Sequence, residues 1–166
     1  IAGEEIQDVV IMSPFHDPNG SFINGMIEQY NPKTFDLILQ KGFGFAPEIA
    51  KVPSDVNIIE WDDMRAASSL KQKYFHAKCV FLQGEHNSYF ICGSANSSIA
   101  AFGKVDKNGL NHEACIGYKM PKRSFYDFIG IQRPSPIERV QLANYPTQTK
   151  DAKESARPVI WIKEAS

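Results

Sequence analysis

The chain has 166 residues, 43% hydrophobic and 22% charged, a globular balance that excludes disorder over most of its length and suits one domain with a sizeable core. Eighteen basic and nineteen acidic side chains leave a formal charge of −1, so no global positive field draws the protein to nucleic acid or membranes, and any phosphate recognition must be local. The longest apolar runs, such as Val9 to Met12 and Val159 to Ile162, are four residues long. A spanning helix needs roughly 20, so neither a transmembrane segment nor a signal peptide is expected.

The β-branched run from Asp8 to Ser13 reads as a buried strand that stops at Pro14. After a turn through Asp17, Pro18, Asn19 and Gly20, Ser21 is placed to cap a helix to Tyr30, whose Phe22, Met26, Ile27 and Tyr30 share one face. Asn31 and Pro32 end it. Phe35 to Gln40 and Val56 to Trp61 are the next strands, with a short helical stretch near Pro47 to Lys51 between them. Such alternation predicts an α/β fold: a mixed, largely parallel sheet flanked by helices.

Beyond Trp61 the pattern changes. Tyr74 to Gln83 and Ser88 to Gly93 read as strands of a hairpin, joined by the turn formers Gly84, Glu85, His86 and Asn87. If Gln83 pairs with Ser88, then Lys78 lies near Gly93 and Cys79 opposite Cys92. Asn96 reads as the N-cap of a short helix to Phe102, stopped by Gly103. His112 to Tyr118 reads as another strand, and Pro121 as the opening of a helix to Ile129. From Arg133 to Pro158 the chain has four prolines and no sustained period, which reads as linker or surface wrap. Val159 to Lys163 is strand-like. The expected organisation is therefore a catalytic domain over 1–130 and a linker with C-terminal extension over 131–166, the latter including the start of a further domain. Cys79, Cys92 and Cys115 lack Cys-x-x-Cys spacing and read as reduced core thiols, which matches a cytoplasmic location.

Chemistry concentrates in His76-Ala77-Lys78, Gly93-Ser94-Ala95-Asn96 and Asn111-His112-Glu113. Strand alternation turns His76 and Lys78 to one side, and the hairpin brings Ser94 and Asn96 to the same end. An imidazole beside an ammonium, a hydroxyl and a carboxamide suits a phosphate diester. Lys78, Ser94 and Asn96 would hold the non-bridging oxygens, His76 would attack phosphorus, and Glu113 would fix the imidazole tautomer. Nothing in this scheme calls for a metal or another cofactor. Of the other histidines, His16 follows the first strand, where sheet ligands often bind, and reads as incidental; His86 in the turn and His112, facing away from Glu113 on its strand, read as packing or solvent residues, as Trp61, Tyr74 and Phe75 read as core or wall. Lys71 and Lys73 read as a solvated face or as contacts to a nucleic-acid backbone.

His76-x-Lys78 followed by Gly93-Ser94-x-Asn96, with Asn111-x-Glu113 beyond, resembles the signature of the phospholipase D superfamily. With Ser13-Pro14-Phe15 after the first strand, it is most similar to the phospholipase D-like nuclease modules of helicase and restriction proteins. The resemblance spans about residues 5 to 130 and implies a phospholipase D-like half-unit. It also implies metal-independent two-step phosphoryl transfer through a phosphohistidine, with His76 as nucleophile, Lys78, Ser94 and Asn96 binding phosphate, and Glu113 orienting the histidine. One departure stands out: the family commonly places Asp five positions after the lysine, where this chain has Gln83.

The expected function is a metal-independent phosphodiesterase, a DNA endonuclease module. It would work beside fused helicase or DNA-recognition domains, with no membrane partner. A complete site needs two histidines, one to attack and one to protonate the leaving group, so a homodimer sharing one pocket is expected, the competing case being a monomer whose second motif lies in further sequence or in another protein. Two alternatives stay open: a phosphate- or nucleic-acid-binding module with lost catalysis, which Gln83 favours, and a phospholipase or phosphatidyltransferase, which the lack of an apolar anchor weakens.

Overall fold

In the computed structural model, which describes residues 3–66, 76–103 and 108–147, the β-branched run near the start becomes a central strand, β1 (Ile6–Met12), paired on both edges. Next come α1 (Ser21–Tyr30), β2 (Thr34–Leu39), a 3-10 turn at Ile49–Lys51, β3 (Val56–Glu60) and α2 (Trp61–Ala66). β4 (Cys79–Gly84) returns on the far side of β1, followed by β5 (Asn87–Gly93), α3 (Ile99–Phe102), β6 (Cys115–Pro121) and α4 (Phe125–Ile129). The six strands form one sheet in the order β3-β2-β1-β4-β5-β6.

The sheet is mixed and flanked by helices, as the alternation predicts. Its parallel part is limited to β1, β2 and β3, while β1–β4, β4–β5 and β5–β6 pair antiparallel. For β4–β5 the cause is local: the two are joined by a turn of only Glu85 and His86, too short for a parallel crossover. The hairpin register is the expected one, with Gln83 opposite Ser88 and Cys79 opposite Cys92.

Several boundaries move. β4 begins at Cys79, residues 76–78 are irregular, and Lys71, Lys73, Tyr74 and Phe75 fall outside the described residues, as does Val159 to Lys163. Trp61 opens α2 instead of closing β3. Pro121 pairs with Asn87 as the last residue of β6. The helix that Pro121 was expected to open starts at Phe125, where the Ser124 hydroxyl accepts from the Asp127 amide at 3.1 Å. Helix α1 has the expected bounds, but Ser21 does not cap it: the Phe22 amide donates to Asp17 Oδ2 at 3.2 Å.

Alternating side chains give the sheet two covered faces. One packs Val9, Ile11, Leu37, Ile58 and Leu82 against Phe22 and Ile23 of α1. The other packs Val10, Ile38, Ile59 and Phe81 against Met64 of α2 and Phe125 and Tyr126 of α4. Among the cysteines only Cys79 is a core thiol; Cys92 is half-buried and Cys115 lies exposed on the edge strand β6. No described helix is long and apolar enough to cross a membrane.

Residues 131–147, after α4, lie against the sheet; the rest of that segment falls outside the described residues. A 3-10 helix at Arg139–Asn144 brings Leu142 and Tyr145 into the first core, and Arg139 donates to the Val52 carbonyl at 2.6 Å. Arg133 reaches the other face and binds Asp36 through two hydrogen bonds of 2.7 and 2.8 Å. Asp36 is 1% exposed and also accepts from the Tyr126 hydroxyl at 2.8 Å and from Asn57 at 3.0 Å. At the chain start Glu4 clamps the β4–β5 turn, accepting from the His86 and Asn87 amides at 2.8 and 2.6 Å and from the Tyr89 hydroxyl. The Tyr89 bond foremost, with those amides, holds the Glu4 carboxyl down at about 2 against burial.

Candidate active site

The chain runs from β1 outwards to β2 and β3, then crosses back to β4 on the other side of β1, so the topology switches between β1 and β4. Crevices outside the carboxyl ends of strands at such points are where α/β sheets bind ligands. Here the segment following β1, the lead-in to β4 and the exit of β5 all meet at that end: Met12 pairs with Cys79, and the Gly93 amide donates to the Lys78 carbonyl at 3.2 Å.

His76 and Lys78 stand together without strand geometry between them. Lys78 Nζ lies 3.1 Å from His76 Nδ1 and donates to the His76 carbonyl at 3.3 Å. An ammonium only donates, so in this arrangement Nδ1 accepts and Nε2 carries the ring proton. Partial burial pulls the Lys78 pKa down, and the charge of Glu113 opposes that shift. Phe43, from the loop after β2, sets its ring in a T-shaped contact 6.5 Å from the imidazole, a wall that nothing in the local sequence announced.

Glu113 enters through Gly93. A Cβ on that residue would sit 2.1 Å from the Ala114 carbonyl oxygen, so only glycine lets the approach to β6 pass this close to the end of β5. The contact is sealed by the Ser94 amide donating to Ala114 at 3.0 Å and the Ala114 amide donating to Ser94 Oγ at 2.9 Å. Glu113 then accepts from Ser94 Oγ at 2.5 Å and from Asn111 Nδ2 at 3.2 Å. Its hydrogen bonds therefore go to Ser94 and Asn111 and none goes to His76. His112, expected on a strand facing away from Glu113, lies in the irregular lead-in to β6.

Asn96 is half-buried, with its side-chain oxygen turned inward. It does not cap α3. That role falls to Ser98, whose hydroxyl accepts from the Ala101 amide at 3.3 Å, because the chain spends two more residues crossing the end of β1 before it coils. During the crossing it is tied to the segment after β1: the Ser97 amide donates to Ser13 Oγ at 3.1 Å and the Ile99 amide to Asp17 Oδ2 at 2.8 Å. Gly44 lies under this segment. At its φ of +79° a Cβ would sit 1.8 Å from the Pro14 carbonyl oxygen.

Gln83 is remote from all of this. It lies five residues along β4 from Lys78, about 17 Å at strand rise, and donates to Asp8 on the paired strand at 2.7 Å. The carboxylate missing at this position thus stands across the ladder on Asp8, and the amide–carboxylate pair ties β4 to β1.

His16, read as incidental in sequence, is 4% exposed and donates from Nε2 to the Ser13 carbonyl at 2.9 Å. Burial pulls its pKa down to about 4, with the Ser13 bond opposing. Between pH ~6.5 and ~4 the unfolded chain binds a proton that the folded chain refuses, so stability is complete above that window and falls through it. The loss by pH 4 is on the order of 3 kcal/mol. Urea titrations from pH 7 to 4 should show it, and His16→Gln should flatten the profile; the Glu4 contribution disappears only below, between pH 4.5 and about 2.

No family model and no curated protein matches the chain. Among solved structures, the yeast tyrosyl-DNA phosphodiesterase is similar over 70% of this chain and 26% of its own, at 12% identity and a TM-score of 0.41. A histidine-to-alanine variant of that yeast enzyme matches over 67% and 24%, at 12% identity and a TM-score of 0.42. A histidine-to-arginine variant matches over 70% and 26%, at 12% identity and a TM-score of 0.40. This chain spans about a quarter of the length of those solved chains.

Proposed function

We propose that the chain is a phosphodiesterase of the phospholipase D type, working on DNA as a nuclease module, and that it supplies one half of a two-histidine site. The observation that carries this reading is the meeting of the three separated motif pieces at one sheet end, His76 against Lys78 at 3.1 Å and Ser94 against Glu113 at 2.5 Å. Each of these hydrogen bonds uses a donor that a phosphate would claim. A non-bridging oxygen takes Lys78 Nζ from the imidazole and Ser94 Oγ from Glu113, and the Asn96 amide adds a third donor. Nδ1, released from Lys78, then carries the ring proton, and Glu113, released from Ser94, is free to accept it. Nε2 is left with its lone pair for attack on phosphorus.

The attack forms the Nε2–phosphorus bond and breaks the bond to the leaving alkoxide, which takes a proton from the matching histidine of a second copy. Water then attacks the phosphohistidine, that second histidine now acting as base, and the imidazole is regenerated. Gln83 lies far from the proposed reacting groups, which supports turnover over a binding module without it.

Cleavage of plasmid DNA, or of an activated aryl phosphodiester, is expected to persist in excess EDTA. Loss on chelation with recovery on adding Mg²⁺ would refute the mechanism, and turnover of phospholipid vesicles but not DNA would refute the substrate. The two-histidine requirement has its own check by light scattering and chain mixing. Active protein should be dimeric, and heterodimers of wild-type and His76→Ala chains should be nearly inactive; full turnover from an isolated monomer would exclude the shared site.

A further inference from the structure

We infer that His16 Nδ1, Ser97 Oγ and the inward oxygen of Asn96 hold one buried water, and that through it His16 positions the Asn96 amide toward phosphate. The inference rests on the proposed role of Asn96 and adds a residue to it. His16 and Ser97 are 4% and 2% exposed, and the two are direct partners in an isolated parallel bridge that joins the segment after β1 to the crossing loop. His16 Nδ1, Ser97 Oγ and Asn96 Oδ1 are each buried with no protein partner. Leaving one such group unsatisfied costs about 1–3 kcal/mol, so three of them on two adjoining segments call for a common partner.

The donors and acceptors allow one arrangement with water. His16 Nε2 donates to the Ser13 carbonyl at 2.9 Å, which leaves Nδ1 as an acceptor. Asn96 Oδ1 is an acceptor, and the Ser97 hydroxyl can donate. A water gives its two protons to Nδ1 and Oδ1 and accepts from Ser97, and three partners is the usual number for a buried water. With Oδ1 held inward, the amino group of Asn96 is the end that reaches the surface, where an anion needs a donor. His16 is thus a positioning residue and does not touch the phosphate.

Two substitutions separate this role from simple support of the loop. His16→Gln can keep the donor to Ser13 and lose the acceptor at the Nδ1 position, whereas His16→Asn keeps an acceptor there and loses the Ser13 bond. We expect His16→Gln to weaken inorganic phosphate binding, measured by calorimetry, and to lower turnover by at least about tenfold, the lower end for loss of an outer-shell partner. His16→Asn should stay within about threefold of wild type in both, even if it melts lower. The reverse ranking would overturn the inference in favour of a purely structural His16. A high-resolution crystal structure of the wild-type protein should show a water about 2.6–3.2 Å from all three atoms, and its absence would overturn the inference whatever the activity. If wild-type protein cleaves no phosphodiester, the catalytic reading fails, while phosphate affinity and the crystal structure still judge the water.

Discussion

His76→Ala should abolish phosphodiester cleavage, by roughly 10⁴-fold or more, and leave the fold unchanged. The side chain is exposed, in an irregular segment, and among the described residues it meets Lys78 and the edge of Phe43. Exposed substitutions of this kind usually stay within about 0.5 kcal/mol, a shift of about 2 °C or less in Tm for a chain of this size. Steady-state rates on an activated diester, beside a thermal melt, test both halves. Undiminished turnover would remove His76 from the reaction, and a collapse in Tm would show that its role is structural. His86 offers the control: it lies exposed in the β4–β5 turn and the clamp from Glu4 uses its backbone amide, so His86→Ala should be nearly silent.

The second large effect concerns stability and lies on the sheet face covered by α2 and α4. Removing the guanidinium in Arg133→Ala leaves the Asp36 carboxylate buried without its cation, a change that typically costs 3–5 kcal/mol. Tyr126 and Asn57 still donate to that carboxylate, which places the expectation near the lower limit, about 3 kcal/mol. That corresponds to a fall of roughly 6–12 °C in Tm. Asp36→Leu combined with Arg133→Met should recover much of the loss, since a packed apolar pair avoids the desolvation of both charges. Urea unfolding of the two single variants and the double variant measures the coupling. A silent Arg133→Ala would mean that the segment beyond residue 130 is a detachable linker; the expected loss makes residues 131–147 part of the folding unit.

What the sequence determined alone is what short-range physics controls. The bounds of α1 follow from apolar spacing and from Asn31 and Pro32, and the register of Cys79 on Cys92 follows from a tight turn and strict alternation. The motif residues could be named because their types and order carry the chemistry. Tertiary structure decided matters that depend on which distant segments meet. It gave the Asp17 carboxylate to α1 in place of the nearer candidate, Ser21. It turned Glu113 onto Ser94, moved the missing acid from position 83 to Asp8 across the ladder, and drew the proline-containing tail onto the core through Arg133. In each case the partner lies in another element, and the burial that makes a hydrogen bond or ion pair worth forming exists only once those elements have packed.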